Sequence, residues 1–232
     1  MRIFRDRHDA GAQLAVALQG YAERPDVLVL ALPRGGVVVG YEVAVRLEVP
    51  LDVLVVRKLG VPGRSELAMG AIASGGVQVV DPTIREAMNV TQEEFLHVMN
   101  TEIAELARRE RMFRGRREFL DVRERCVILV DDGLATGATM RAAIQALRQR
   151  EPAEVIVAVP VAAPEAVGII SPLVDDVVCL AVPGYLTAIG LWYRDFEQTS
   201  DAEVRALLDS ADERFAEAQK SVAAPPEPAA HP

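Results

Sequence analysis

The chain has 232 residues, 50% hydrophobic and 25% charged, with a formal net charge of -9. That composition excludes a disordered chain and suits one compact unit with an elaboration, or two small ones. The acidic balance, with a pI near 5.0, counts against non-specific nucleic-acid binding, which selects surfaces dense in unpaired Lys and Arg.

Two cysteines are too few for a disulfide scaffold, and no apolar run reaches the ~18 residues of a membrane span. The start, MRIFRDRHDA, lacks the apolar core of a signal peptide, so a cytoplasmic protein is expected. His8, His97 and His231 are scattered, which disfavours a histidine zinc site or a histidine triad.

Residues 26–32, DVLVLAL, form a continuous apolar run that breaks at PRGG (33–36) and continues as VVVGYEVAVRLE. This reads as strand, glycine loop, helix. LDVLVVRK, 51–58, reads as a second buried strand ending on Arg57 and Lys58; Lys58 and Lys220 are the only lysines among 25 basic residues. Runs without polar alternation suit a parallel sheet covered on both faces. A glycine-rich stretch follows at 60–76, with a hairpin expected at Ser74-Gly75-Gly76.

Thr91 and Glu94 make a capping box for a long helix in which Phe95, Leu96, Met99, Ile103 and Leu106 recur at helical spacing. The segment is expected to continue into RREFLDVRER. Its eight arginines between 101 and 125, interleaved with Glu102, Glu105, Glu110, Glu118, Asp121 and Glu124, read as a solvated helix face with intrahelical ion pairs.

A third strand, CVILV (126–130), enters DDGLATGAT and then the helix TMRAAIQALRQR. A fourth, EVIVAVPV (154–161), precedes a short helix from about Pro164, and DVVCLAV (176–182) is a fifth. Cys126 and Cys179 sit in the third and fifth strands, where reduced, buried thiols are expected. Strands alternating with helices imply an α/β fold, an open doubly wound sheet of about five parallel strands with ligands at the strands' carboxyl ends.

Residues 183–199 hold the only Trp and two of the four Tyr. Ser200 and Glu203 cap a final helix to about Lys220, and 221–232 has the Pro and Ala content of a disordered tail. The expected organisation is one domain over 1–220 with a helical insertion at about 83–120.

The segment VILVDDGLATGATM, 127–140, carries the most chemistry. Small residues let successive backbone N–H groups converge on a phosphate, and the helix start adds partial positive charge. Thr136 and Thr139 can add hydroxyl donors. Paired carboxylates, Asp131 and Asp132, would repel that phosphate unless they face sugar hydroxyls or a divalent cation, so phosphate and diol together are indicated. The loop lacks the Lys of a Walker motif, and no GxGxxG follows the first strand. An ordinary strand-to-helix turn accounts for Gly133 and Gly137 but not for two acids at the end of a buried strand.

This segment resembles the 5-phosphoribosyl-1-pyrophosphate (PRPP) motif of type I phosphoribosyltransferases: a hydrophobic strand, two acidic residues, then a small-residue loop with T-G-x-T. The resemblance implies that Asp131 and Asp132 hold the ribose hydroxyls, with any contact to Mg2+ indirect. It implies that Gly133, Ala135, Thr136, Gly137, Ala138 and Thr139 bind around the 5′-phosphate. PRGG is similar to the family's pyrophosphate loop, where a non-proline cis peptide is common, placing Arg34, Gly35 and Gly36 toward the leaving group. Arg57 and Lys58 match an Arg-Lys pair that faces pyrophosphate in adenine-type members. GVPGRSELAMGAI, 60–72, resembles the mobile loop that closes over PRPP, with Ser65 and Glu66 as polar candidates. PGYLTAIGLWYRDF is similar to the family's carboxyl-terminal hood over 183–199, where Tyr185, Trp192 and Tyr193 are candidates for stacking on a base.

The implied activity is Mg2+-dependent transfer of the 5-phosphoribosyl group of PRPP to a nitrogenous base, with Asp131, Asp132, Lys58 and Arg34 as catalytic residues. PRPP and a nucleobase-like acceptor are the implied partners, without nucleic acid or membrane, and homo-oligomerisation is left open. The alternative is a non-catalytic regulatory protein that binds PRPP or a nucleotide. Ala135 replaces the Asp of 6-oxopurine loops, and Trp192 stands where those enzymes carry an acid, which points away from hypoxanthine and guanine.

Overall fold

The computed structural model describes residues 3–223. In chain order the strands are β1 (Val27–Ala31), β2 (Leu51–Val53), β3 (Val56–Val61), β4 (Arg64–Ala73), β5 (Val77–Val80), β6 (Cys126–Val130), β7 (Glu154–Val161) and β8 (Asp176–Ala181). The helices are α1 (Arg7–Ala17), α2 (Gly35–Leu47), α3 (Pro82–Ala87), α4 (Gln92–Arg114), α5 (Ala138–Arg148), α6 (Pro164–Ile170) and α7 (Asp201–Ala223). Among the described residues no helix is long and apolar enough to cross a membrane.

Five parallel strands form the central sheet in the order β2-β1-β6-β7-β8. Every residue of β1 and β6 is buried because both sheet faces are covered. Val27, Val29 and Ala31 pack in the same core as Leu14 of α1, Val39 and Val43 of α2 and Val204 and Leu208 of α7. Leu28 and Leu30 point the other way, into a core with Ile144 and Leu147 of α5 and Ala166 and Ile170 of α6. Each fully buried Val or Leu contributes roughly 1.5–3 kcal/mol, and the period-2 pleat divides that burial between the two layers. The doubly wound parallel sheet expected from the apolar runs is present.

The second strand is shorter than expected. β2 ends at Val53, and the chain leaves the main sheet to start β3, which pairs antiparallel with β4; β4 pairs in turn with β5. Ser74 holds this departure in place: its N–H donates to the Val55 carbonyl at 2.9 Å, and the Val55 N–H donates to its Oγ at 3.0 Å. Arg57 and Lys58 therefore lie on β3 and do not end β2. The stretch 60–72 is the β3–β4 hairpin, which places Ser65 and Glu66 on strand β4. The turn at Ser74-Gly75-Gly76 forms as expected.

The helical insertion also departs from expectation. α4 carries its Thr91–Glu94 capping box but stops at Arg114, capped by Gly115, and 116–125 is not helical. Only some of its arginines pair within the helix, as Arg108 and Arg109 do with Glu105. Arg117 reaches Asp209 and Asp212 of α7, Arg123 pairs with Glu151, and Arg125 donates to the carbonyls of Pro25 and Val27. Arg114 is buried against Asp52 of β2. Arg114 and Arg117 thus fasten the insertion to the sheet and to α7.

Cys126 is buried, which pushes its thiol up to about 12, whereas Cys179 is half-buried because β8 is an edge strand. The Ser200–Glu203 cap of α7 is formed. The expected tail begins on the last helical turn, and beyond Ala223 it lies outside the described residues.

Candidate active site

The carboxyl ends of β1 and β6 are neighbours in the parallel sheet, so the loops that follow them meet. The Leu32 N–H donates to the Val130 carbonyl at 2.9 Å, and α2 starts directly afterwards at Gly35. The Pro33–Arg34 peptide is cis. A Cβ on Gly36 would lie 2.9 Å from Asp131 Cα and 3.0 Å from the Val130 carbonyl oxygen; one on Gly35 would overlap Asp132 Oδ2. Only glycine permits this approach of the PRGG loop to the two acids.

Gly36→Ala is expected to cost ~1–3 kcal/mol, because its neighbours are backbone atoms that cannot swing aside. Differential scanning calorimetry checks this, and an unchanged Tm would show that the two loops separate freely.

The carboxylates themselves are held in a fixed arrangement. Asp131 Oδ1 accepts from the Asp132 N–H at 2.8 Å, and burial followed by the Asp132 charge raises the Asp131 pKa well above the usual carboxylate range. Burial also raises Asp132, and the Arg7 guanidinium opposes this from 2.8 Å away. Arg7 comes from α1, and its Nη1 also donates to the Glu197 carbonyl at 2.7 Å. Its guanidinium lies 3.8 Å from the centroid of the Phe196 ring.

The acids run into a small-residue loop tied down at Leu134. Its N–H donates to the Val161 carbonyl at 2.9 Å, and its carbonyl accepts from the Ala163 N–H at 2.8 Å. A Cβ on Gly133 would lie 2.7 Å from Ile189, so the loop also abuts the segment after β8. Ala135, Thr136 and Thr139 are exposed. Gly137, at φ 69°, is the N-cap of α5 and offers no side chain to its first amides, leaving the positive end of the helix beside the loop.

Lys58 is exposed and lines a cleft of about 480 Å3 together with Ala71, Asp81, Ala138, Arg141 and Gln145, a volume in the range of small-ligand sites. The cleft thus joins β3 to the end of the small-residue loop. Arg57 points elsewhere: its Nε donates to Glu102 of α4 at 2.6 Å, which corrects the expectation that it faces a leaving group beside Lys58. Arg34 lies 3.8 Å from Asp201 at the start of α7.

The aromatic candidates separate as well. Tyr185 is 83% exposed, whereas Trp192 and Tyr193 are buried in a cluster with Phe4 and Val161. The Tyr193 hydroxyl donates to the Asp132 carbonyl at 2.6 Å, and Phe4 pairs with Tyr193 as an isolated bridge. Both therefore serve as packing and are corrected as stacking candidates; Tyr185 alone has a free ring face.

Residues 5–181 match the family model of the phosphoribosyl transferase domain. The chain belongs to the phosphoribosyl transferase family.

The chain is 46% identical over 218 residues to a Mycobacterium tuberculosis protein provisionally named a phosphoribosyl transferase, in strains H37Rv and CDC 1551. The match covers 94% of this chain and 49% of those proteins, so the chain spans about half the length of the curated relatives it matches. The crystal structure of TT1426 from Thermus thermophilus is 44% identical, with a TM-score of 0.80 over 90% of this chain and 98% of that one.

Arg7 is the site residue that sequence reasoning missed. Asp6 caps α1, and Ala10, Leu14 and Leu18 bury one face, which a helical reading of 6–18 would have found. The partner of Arg7, 125 residues further on, leaves no local signal.

Proposed function

We propose that this phosphoribosyltransferase moves the 5-phosphoribosyl group of PRPP to a nitrogenous base and releases pyrophosphate. The observation that carries the reading is the meeting of two half-buried carboxylates, a tied small-residue loop at a helix start and a glycine loop packed against them. Asp131 and Asp132 accept from the ribose hydroxyls. The backbone of 135–139 with Thr136 and Thr139 donates to the 5′-phosphate, and Arg34, the amides of Gly35 and Gly36, and Lys58 stabilise departing pyrophosphate. The bond from C1′ to pyrophosphate oxygen breaks with its electron pair on the leaving group, and a ring nitrogen of the base bonds C1′ and gives its proton to solvent. Charge developing on the sugar and on pyrophosphate is what fixed donors and carboxylates are suited to stabilise.

Among the described residues no group of three or more His, Cys, Asp or Glu could hold a metal ion by itself. Mg2+ is bound by one or two carboxylates plus substrate phosphates, so the Asp131–Asp132 pair fits an ion that arrives with PRPP. Such an ion would neutralise the pyrophosphate charge.

Pyrophosphate release from PRPP and Mg2+ with a panel of bases tests the reading. Absence of calorimetric binding at millimolar PRPP overturns it, and binding without turnover of any base selects the regulatory alternative. Two variants report on the parts. Lys58→Ala should weaken PRPP and pyrophosphate while leaving ribose 5-phosphate nearly unchanged; equal losses would mark a structural role. Tyr185→Ala should raise KM for the base by the ~1–3 kcal/mol of a stacking contact, with kcat little altered. Ala135 leaves no carboxylate for an oxopurine ring nitrogen, so adenine-like or non-purine bases should outperform hypoxanthine and guanine.

A further inference from the structure

Each of the two site carboxylates has one oxygen engaged. Asp131 Oδ1 accepts from the Asp132 N–H, and Asp132 Oδ2 accepts from Arg7 Nε. Asp131 Oδ2 and Asp132 Oδ1 have no hydrogen-bond partner among the described residues. Arg150 Nε is the one side-chain nitrogen or oxygen there that is both buried and unpartnered, so both of these oxygens reach solvent. The result is a pair of open acceptors, one from each acid, on adjacent residues. Two neighbouring hydroxyls match that pattern.

Arg7 decides which Asp132 oxygen is open. Its side chain is 11% exposed and is held at three points by two segments: Asp132 after β6, and the stretch before α7 through the Glu197 carbonyl and the Phe196 ring. A Cβ on Gly35 would lie 2.8 Å from Arg7 Nε, so the PRGG loop closes the fourth side. A guanidinium confined in this way has little freedom to let Asp132 rotate. An Arg that served only as a surface counter-ion would need none of these contacts.

We infer that Arg7 is a positioning residue: it pins Asp132 Oδ2 so that Asp132 Oδ1 and Asp131 Oδ2 stand ready as the acceptor pair for the vicinal hydroxyls of ribose. It thereby enforces ribose over deoxyribose in the proposed reaction. This rests on the phosphoribosyl reading above. A site whose acceptors are aimed at a hydroxyl, and are cut off from water once the sugar is seated, rejects a ligand that lacks it, because an acceptor is left unpaired. Without Arg7 the carboxylate turns, and the missing hydroxyl matters less.

The test is calorimetric binding of ribose 5-phosphate, 2-deoxyribose 5-phosphate and inorganic pyrophosphate to the wild-type chain and to Arg7→Met. Wild type should prefer the ribose ligand by ~10-fold or more, the value of a hydrogen bond to a charged group. Arg7→Met should shrink that preference to within about two-fold while leaving deoxyribose 5-phosphate and pyrophosphate nearly unchanged. Parallel loss of all three ligands, or an unaltered preference, overturns the inference. If the Met variant does not fold, Arg7→Gln, which keeps a polar stem beside Phe196, answers the same question. Failure of the wild-type chain to bind either sugar phosphate overturns the phosphoribosyl reading instead, and needs no variant to be seen.

Discussion

Arg114→Ala is expected to cost about 3–5 kcal/mol of stability and to lower Tm by on the order of 10 °C. Arg114 and Asp52 are 5% and 8% exposed, and Arg114 Nε lies 2.7 Å from Asp52 Oδ1. The same guanidinium donates to Glu110 at 2.8 Å, to Ser74 Oγ at 3.1 Å and to the Val53 carbonyl. Asp52 in turn accepts from the N–H groups of Val53 and Leu120. Removing the cation strands a carboxylate at the junction of β2, the small sheet and α4, and a stranded buried charge is far more costly than the intact pair is favourable. Burial already raises the Asp52 pKa despite Arg114.

The sign of the pH dependence follows. An acid whose folded pKa is raised above its unfolded value leaves folding unpenalised below the unfolded pKa, and destabilises as pH climbs through the folded one. Without Arg114 that rise is larger, so the deficit of Arg114→Ala should be greatest at neutral pH and shrink toward pH 4. Urea denaturation at both pH values measures it. Equal deficits at the two would mean that lost packing, not the uncompensated carboxylate, sets the cost.

Asp131→Asn should separate stability from ligand binding. Burial and the neighbouring Asp132 charge raise the Asp131 pKa, so this acid weakens the fold progressively as pH rises above its unfolded value near 3.8. Asparagine keeps a carbonyl oxygen to accept from the Asp132 N–H and removes the charge. The variant should gain ~1 kcal/mol at neutral pH, with its advantage vanishing below pH 4. It should also lose PRPP affinity by about 100-fold, since an amide replaces a charged acceptor for a hydroxyl. Tm measured across pH, beside calorimetry with PRPP and Mg2+, reads both effects. A variant less stable than wild type at pH 7 would show that the carboxylate pair is not under charge strain.

The chemistry was legible where it is local. Asp131 and Asp132 follow a buried strand directly, and Gly133 to Thr139 follow them without interruption, so strand, acids, loop and helix occur in one stretch. PRGG was legible for the same reason, and its packing against the acids follows from β1 lying beside β6. Arg57 was misplaced because the chain turns out of the main sheet after Val53, and a continuous apolar run carries no mark of that exit. Trp192 and Tyr193 stand among the stacking candidates because in sequence an aromatic residue looks the same whether it stacks on a base or packs on Phe4.

The sequence by itself determined the parallel sheet and its glycine loops. Apolar periodicity, breaks and caps are properties of neighbouring residues, and those set which strands can be buried on both faces. Only the tertiary structure decided the partners of the charged side chains: Arg7 with Asp132, Arg114 with Asp52, Arg57 with Glu102. An arginine costs the chain nothing to carry in solvent and little to bury once a carboxylate and several carbonyls converge on it. That convergence is made by packing between segments far apart in the chain, and composition alone leaves every such arginine looking like a solvated one.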